Sequence, residues 1–188
     1  MRLRAQIDAW ALGGLLASAL LGFTAGQACG ADAWDALGPA RIGATFGEVS
    51  RELALSCSGE AARRACAPTS RAPVEFAGLP VGRIEAVFED AKLVKVTVVL
   101  PDQQYQSLLR GLTTRYGEGE DRSFIARAGM AGEFVAGVFL WREGGVSLVL
   151  EQYAGKIDRS SLNYGSEPAM AELIRSKTAY PRGARRDL

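Results

Sequence analysis

The sequence contains no histidine. That absence excludes Ser-His-Asp and Cys-His nucleophile arrangements, His general acid–base pairs and His-ligated zinc. Cysteine is nearly as scarce, with Cys29, Cys57 and Cys66 the whole complement. Neither sign of charge is in excess, 22 Lys+Arg standing against 21 Asp+Glu. A chain built to coat nucleic acid carries a clear basic surplus, so nucleic acid is not expected as a partner. No Gly-x-x-x-x-Gly-Lys-Ser/Thr loop occurs. The Gly-rich "GEGED" does not link a strand to a helix in the way a phosphate cradle requires. No cofactor and no metal site are expected.

Only one long uncharged run is present, the 17 residues Ala9–Ala25 (AWALGGLLASALLGFTA). It follows the basic Met1-Arg2-Leu3-Arg4 and precedes small residues. That order is a secretory leader: basic segment, apolar segment, small-residue cleavage zone. With Gly13, Gly14 and Gly22 inside it, the run is at the short limit for spanning about 30 Å of hydrocarbon. Residues 1–31 are therefore expected to be removed as a signal peptide, leaving no membrane span. Without Arg2, Arg4 and Asp8 the charges balance at 20 of each sign, and 157 residues remain, the size of one ordinary domain.

The cleavage point decides the fate of Cys29. A cut after Ala28 makes Cys29 the first residue; a cut after Gly30 or Ala31 discards it. Parity favours discarding it, because Cys57 and Cys66 then remain as an even pair in an oxidising compartment. The alternative is an envelope lipoprotein anchored through Cys29, for which Ala28 fits a lipobox and Gly26 and Gln27 do not. Cys57 and Cys66 bracket "CSGEAARRAC". A redox pair calls for Cys-x-x-Cys spacing, so a structural disulfide is expected. It closes a loop of about ten residues and contributes roughly 2.7 kcal/mol.

Asp32 to Ile42 reads as irregular. In "GATFGEVSRELALS", Thr45 and Glu48 fit a capping box, and Phe46, Val49 and Leu53 share a helical face. Pro68 and Pro73 break the chain afterwards. "GRIEAVFEDAKLVKVTVVLP" alternates as two strands of a half-buried hairpin. A two-residue loop at Asp90-Ala91 pairs Phe88 with Leu93 but sets Ala86 against Lys95. A three-residue loop keeps Ile84, Ala86 and Phe88 on the face of Val94, Val96 and Val98, and is preferred on parity. "VEFAGLPV" is a candidate neighbouring strand.

Asp102 is the expected N-cap of a helix whose stripe is Tyr105, Leu108, Leu109, Leu112 and Tyr116, closed by Gly117. Tyr105 and Tyr116 read as packing residues. "GEGEDRSFIARAGMAGEFVAG" reads as a loop with room for a short strand; a long ordered loop is functional or a misread element. Within it Glu118, Glu120, Asp121, Arg122, Phe124 and Arg127 are the candidate partner-binding residues. A second hairpin turns at Gly144-Gly145, placing Trp141 opposite Leu148 and Phe139 opposite Leu150 on the core face. Leu140, Arg142, Ser147 and Val149 take the other face. "SSLNYGS" adds a strand. Glu167 to Tyr180 forms a helix with Met170, Leu173, Ile174 and Lys177 along one side. Residues 181–188 form a basic tail expected to be disordered, with an acidic surface as the alternative resting place for Arg182, Arg185 and Arg186.

The expected fold class is α+β: an antiparallel sheet of two hairpins plus extra strands, with about three helices on one face, over residues 32–180. The two hairpin-plus-helix blocks suggest a duplication. "RIGATFGEVSRELAL", through Gly43, Thr45, Glu48 and Val49, resembles the helix opening of small bacterial envelope proteins of the BamE/SmpA-like and β-lactamase-inhibitor-like kind. "VFEDAKLVKV" is similar to the Phe-x-Asp-Gly-Lys-Leu hairpin of the same proteins, with Ala91 where Gly is usual. The resemblance implies a non-enzymatic protein that binds another protein in the cell envelope.

The functional expectation is an exported periplasmic or secreted protein without catalytic activity that binds another protein, as an inhibitor, an immunity protein or an envelope-assembly accessory. One alternative is a cell-wall glycan hydrolase working through Glu/Asp. For that chemistry Glu85 and Glu89 stand roughly 13 Å apart along a strand, wide for either hydrolytic geometry. The Glu118–Glu120–Asp121 cluster reads as a solvated acidic turn, with a weak cation site as its other reading. The other alternative is a carrier of a small apolar ligand.

Overall fold

The computed structural model describes residues 33–69, 74–127 and 132–187. The leader expectation and Cys29 lie outside the described residues. The first described segment is helical rather than irregular: α1 (Ala33–Leu37) leads into a 3-10 turn at Pro39–Arg41. Ala36 and Leu37 are fully buried, and the Trp34 ring stands edge-on to Phe76 at 4.7 Å. Burial of these apolar side chains holds five helical residues that propensity alone would not.

Helix α2 (Phe46–Glu52) starts on the expected capping box. Thr45 N donates to the Glu48 carboxylate at 2.7 Å, and Glu48 N donates back to Thr45 Oγ1 at 3.3 Å. The bonds from Thr45 hold the Glu48 carboxyl below the usual carboxylate range. Next come β1 (Leu55–Gly59) and β2 (Arg63–Pro68), a hairpin where a plain loop was expected. Cys57 and Cys66 face each other across it and are joined. The bridge thus staples two paired strands. "VEFAGLPV" makes its own two-stranded ribbon, β3 (Val74–Phe76) with β4 (Leu79–Val81), outside the main sheet. It buries Phe76 in the core.

The hairpin of β5 (Arg83–Glu89) and β6 (Lys92–Pro101) corrects the loop-length expectation. Its turn has two residues, Asp90 and Ala91, both left-handed at φ 47° and 61°. Phe88 therefore pairs with Leu93. Parity is recovered one step later by a bulge at Val94, after which Ala86 faces Val96 and Ile84 faces Val98. Burial demanded an odd residue, and the strand supplied it instead of the turn. The turn is also docked: Gly43 N donates to Leu93 O (2.7 Å), Leu93 N to Ala44 O (2.8 Å) and Phe46 N to Ala91 O (2.6 Å). The two sequence segments that carry the envelope-protein resemblance are thus hydrogen-bonded to each other.

Helix α3 (Tyr105–Tyr116) follows a 3-10 turn at Asp102–Gln104 and has no side-chain cap. The Asp102 carboxylate is engaged elsewhere, accepting from Ser160 Oγ at 2.8 Å and Gln152 Nε2 at 3.4 Å. The segment after Gly117 is not a loop. It contains β7 (Glu120–Asp121), β8 (Phe124–Arg127) and β9 (Glu133–Ala136). Hairpin β10 (Val138–Glu143) and β11 (Val146–Glu151) has the expected Gly-Gly turn and the expected Trp141–Leu148 and Phe139–Leu150 pairs. Then come β12 (Arg159–Ser166), α4 (Glu167–Thr178) and β13 (Arg185–Asp187). The basic tail is therefore ordered, pairing parallel with β8.

The α+β class holds, with an eight-stranded sheet in the order β1-β2-β5-β6-β12-β11-β10-β7. A second sheet runs β13-β8-β9. The helices do not share one face. Tyr105, Leu108 and Leu112 of α3 join the main core with Val96, Val98, Leu148 and Leu162. Met170 of α4 joins a separate core with Leu140, Val149, Phe124 and Ala126. Alternation along β11 puts Leu148 and Val149 on opposite faces, so α3 and α4 cover opposite faces. The antiparallel neighbours β6 and β12 could be exchanged only by a two-fold axis normal to the sheet, which keeps each helix on its own face. The expected duplication is therefore not present in the packing.

Candidate interaction surface

The face carrying the second core is covered on one side only. Strands β11 and β12 are buried on both faces. Strands β5 and β6 alternate buried with half-buried positions. The cross-strand row Val149–Asn163–Thr97–Glu85 shows the change, from a buried valine under α4 to a half-exposed carboxylate. At the seam Thr97 Oγ1 donates to Asn163 Oδ1 at 2.9 Å, and Asn163 Nδ2 donates to Ser161 Oγ at 3.2 Å. Asn163 is 7% exposed yet paired, so its burial carries no unpaired amide.

Beyond the seam the face is formed by Ala65, Ala67, Val87, Thr97 and Val99, with Ser56 and Ser58 at its outer edge. Small and β-branched side chains make it flat. Paired charges stand within it and at its ends: Arg83 with Glu85, which lies beside Val87 and opposite Thr97, and Arg63 with Glu89 at 2.9 Å. Lys95 lies between Val87 and Gly165. A hollow of roughly 590 Å³ opens at one end, lined by Arg83, Val99, Gln103, Asp158 and Arg159. The residues of this face are the second set in the polar–apolar alternation of the half-buried hairpin.

The candidates in the 118–127 segment fall in different places. Glu118 is exposed and lines a groove of roughly 540 Å³ with Arg115, Tyr116, Glu120, Trp141 and Arg142. Trp141 Nε1 donates to Gly117 O at 2.8 Å, and a Cβ at Gly119 would lie 2.6 Å from the indole. Glycine at 119 is thus required for the chain to cross the ring. Glu120 is paired with Arg122 and, at 3.2 Å, with Arg142. Arg127 pairs with Glu133 at 2.7 Å.

Asp121 and Phe124 serve the fold. Phe124 is 4% exposed, with the Arg186 guanidinium 4.5 Å from its ring centre. Asp121 accepts from Ser123 N at 2.9 Å and pairs with Arg182 at 2.7 Å. Arg185 reaches Glu133 at 3.5 Å. The acidic segment and the basic tail therefore meet within the chain. Burial works to raise the Asp121 carboxyl, but the Ser123 hydrogen bonds and the Arg182 charge outweigh it and hold it low. Glu133 is also held low, chiefly by Arg127. Burial pushes the phenols of Tyr105, Tyr116 and Tyr164 up, the direction opposite to an activated phenolate. Among the described residues, no group of three or more acidic or cysteine side chains could hold a metal, and no helix is long and apolar enough to cross a membrane.

No known family and no curated protein matches the sequence. Among solved structures, the chain is similar to a cysteine-rich secretory protein from Staphylococcus aureus subsp. aureus Mu50, at 7% identity and a TM-score of 0.43. The match covers 72% of this chain and 46% of that one, so the chain spans under half the length of that protein.

Proposed function

We propose that the protein is an exported, non-catalytic binding module of the bacterial cell envelope that engages another protein through the uncovered face of β2, β5 and β6. The observation that carries this reading is the half-buried set Ala65, Val87, Thr97 and Val99 on a face that α4 covers over β11 and β12 and reaches only as far as β6, leaving β5 and β2 uncovered among the described residues. A flat face of small apolar side chains interspersed with paired charges has the mixed apolar and polar make-up of a non-obligate protein interface. The Cys57–Cys66 bridge fits an oxidising compartment such as the periplasm. Among the described residues the carboxyls with displaced acidity, Glu48, Asp121 and Glu133, are all held low. That is opposite to what a glycosidase acid needs, and it ranks the hydrolase reading lower.

The experiment is affinity capture from the native envelope with wild type and Val87→Asp, identification of the retained protein, and titration of that purified partner. Val87 is half-exposed between Ala65 and Lys95, so an aspartate there is solvated and leaves the core intact. Binding should weaken by about tenfold or more through a buried unpaired charge at the interface. A partner bound equally well by both proteins sinks this face as the site. Recovery of no partner sinks the binding reading itself.

A further inference from the structure

Strand β1 forms one edge of the eight-stranded sheet, and its backbone pattern can be worked out residue by residue. Thr69 N donates to Ala54 O at 3.0 Å, which makes Ala54–Thr69 a hydrogen-bonded pair. Alternation then makes Leu55–Pro68, Cys57–Cys66 and Gly59–Arg64 non-hydrogen-bonded pairs. Two facts agree with this phase. Pro68 has no N–H to give, and the Cys57–Cys66 Cα separation is 4.0 Å, the close spacing of such pairs. The N–H and C=O groups of Leu55 and Cys57 therefore point away from the sheet, while Gly59, at φ 101°, ends the regular alternation. Among the described residues those outward groups have no backbone partner.

The other edges of the two larger sheets are blunted. At the opposite end of the sheet β7 is two acidic residues, Glu120 and Asp121, each tied to arginine. Strand β13 carries Arg185 and Arg186, and β9 opens on Glu133, paired to Arg127. Strand β1, "LSCSG", has no charge and no proline, and its positions from Ser56 to Gly59 are exposed. Proteins usually protect edges with such residues. Here the disulfide instead holds an unprotected edge straight, so little conformational freedom is lost when it is paired.

We infer that β1 is a self-association edge, on which a second copy of this chain adds its own β1 antiparallel about a two-fold axis at Cys57. This register centres the outward groups on the axis: Cys57 faces Cys57 of the second copy and exchanges both hydrogen bonds with it, and Leu55 faces Gly59 on either side. Gly59 leaves room for Leu55. Ser56 faces Ser58, so no like charges meet. The product is one continuous sheet across two copies. A strip this narrow is a small interface, and association is on the order of 10–100 µM.

The test is sedimentation equilibrium of the purified protein with its disulfide intact, across that concentration range, for wild type and two variants. Ser56→Lys with Ser58→Lys sets lysines opposite each other at both ends and should weaken dimerisation by about tenfold or more. Ser56→Lys with Ser58→Glu sets unlike charges opposite each other and should restore it. Both positions are exposed, so the variants keep the β1–β2 ladder. Hydrogen exchange on wild type gives a reading that needs no variant: the Leu55 and Cys57 amides should slow as concentration rises. A monomer throughout the range, or a dimer equally strong in all three proteins, overturns the inference. So does exchange at these amides that ignores concentration. Because the probe is the protein itself, this result stands apart from whether another protein binds the open face.

Discussion

Val149 and Val87 lie on the same face of the same sheet, three strands apart, yet they live in different surroundings. Val149 is 1% exposed beneath Met170 of α4, while Val87 is half-exposed among Ala65 and Lys95. The covered half is held by a second core of Phe124, Ala126, Leu140 and Met170. The open half has no such layer among the described residues, and its outermost strand pair is clamped by Cys57–Cys66 instead. The open half is thus held from behind, by the main core of Ile84, Ala86, Phe88, Val96 and Val98 on its other face, with the bridge adding a clamp at its outer edge. One-sided burial leaves the other face free to meet something else.

The largest expected effect is in the covered half. Met170→Ala removes the side chain around which the second core closes and should cost about 2–4 kcal/mol in urea unfolding. A loss under 1 kcal/mol would mean that α4 is not a genuine covering layer. Next is the clamp of the open half. Cys57→Ser with Cys66→Ser should cost about 2–3 kcal/mol by releasing a loop of about ten residues. If stability is unchanged, the bridge does not clamp that edge.

The matched pair sharpens the comparison most directly. Val149→Ala should cost about 2 kcal/mol, and Val87→Ala about 0.5 kcal/mol, since only the first opens a cavity. Equal costs would show that the open face is covered in solution. The smallest effect is pH-dependent and concerns the tail. The folded Asp121 carboxyl sits below its unfolded value of about 3.9, so its contribution is complete above that pH and fades as pH falls further. The stability advantage of wild type over Asp121→Asn should therefore be present at neutral pH and vanish in acid below about pH 4. An advantage that persisted in strong acid would remove the carboxylate from the account.

Much of the local structure was legible because its causes are local. Thr45 and Glu48 announced a helix start, and Gly144-Gly145 announced a hairpin with its register. The alternation of Ile84, Ala86 and Phe88 announced a buried face, and Cys57 with Cys66 announced a bridge. One-sided burial left a local mark too. Charged or polar residues alternate with apolar ones in β5 and β6, whereas Leu148, Val149 and Leu150 run without a break because both sides of β11 are buried. The continuous run is the local signal of a second core.

Decisions that balance distant parts of the chain were out of reach. Whether the odd residue of the β5–β6 hairpin sits in the turn or in the strand depends on Gly43 to Phe46 docking against that turn. Phe124 and Asp121 look like surface residues in a charged stretch until the tail returns, some 60 residues later, to lay Arg186 on the ring and Arg182 on the carboxylate. The sequence by itself determined helices α2, α3 and α4, the β5–β6 and β10–β11 hairpins with their main-core face, and the disulfide, because caps, turns and periodicities act over a few residues. Only the tertiary structure decided that α3 and α4 take opposite faces, that the basic tail is a strand, and that half of one face stays open. Those outcomes turn on which apolar surfaces find one another, and burial energy counts area without regard to sequence distance.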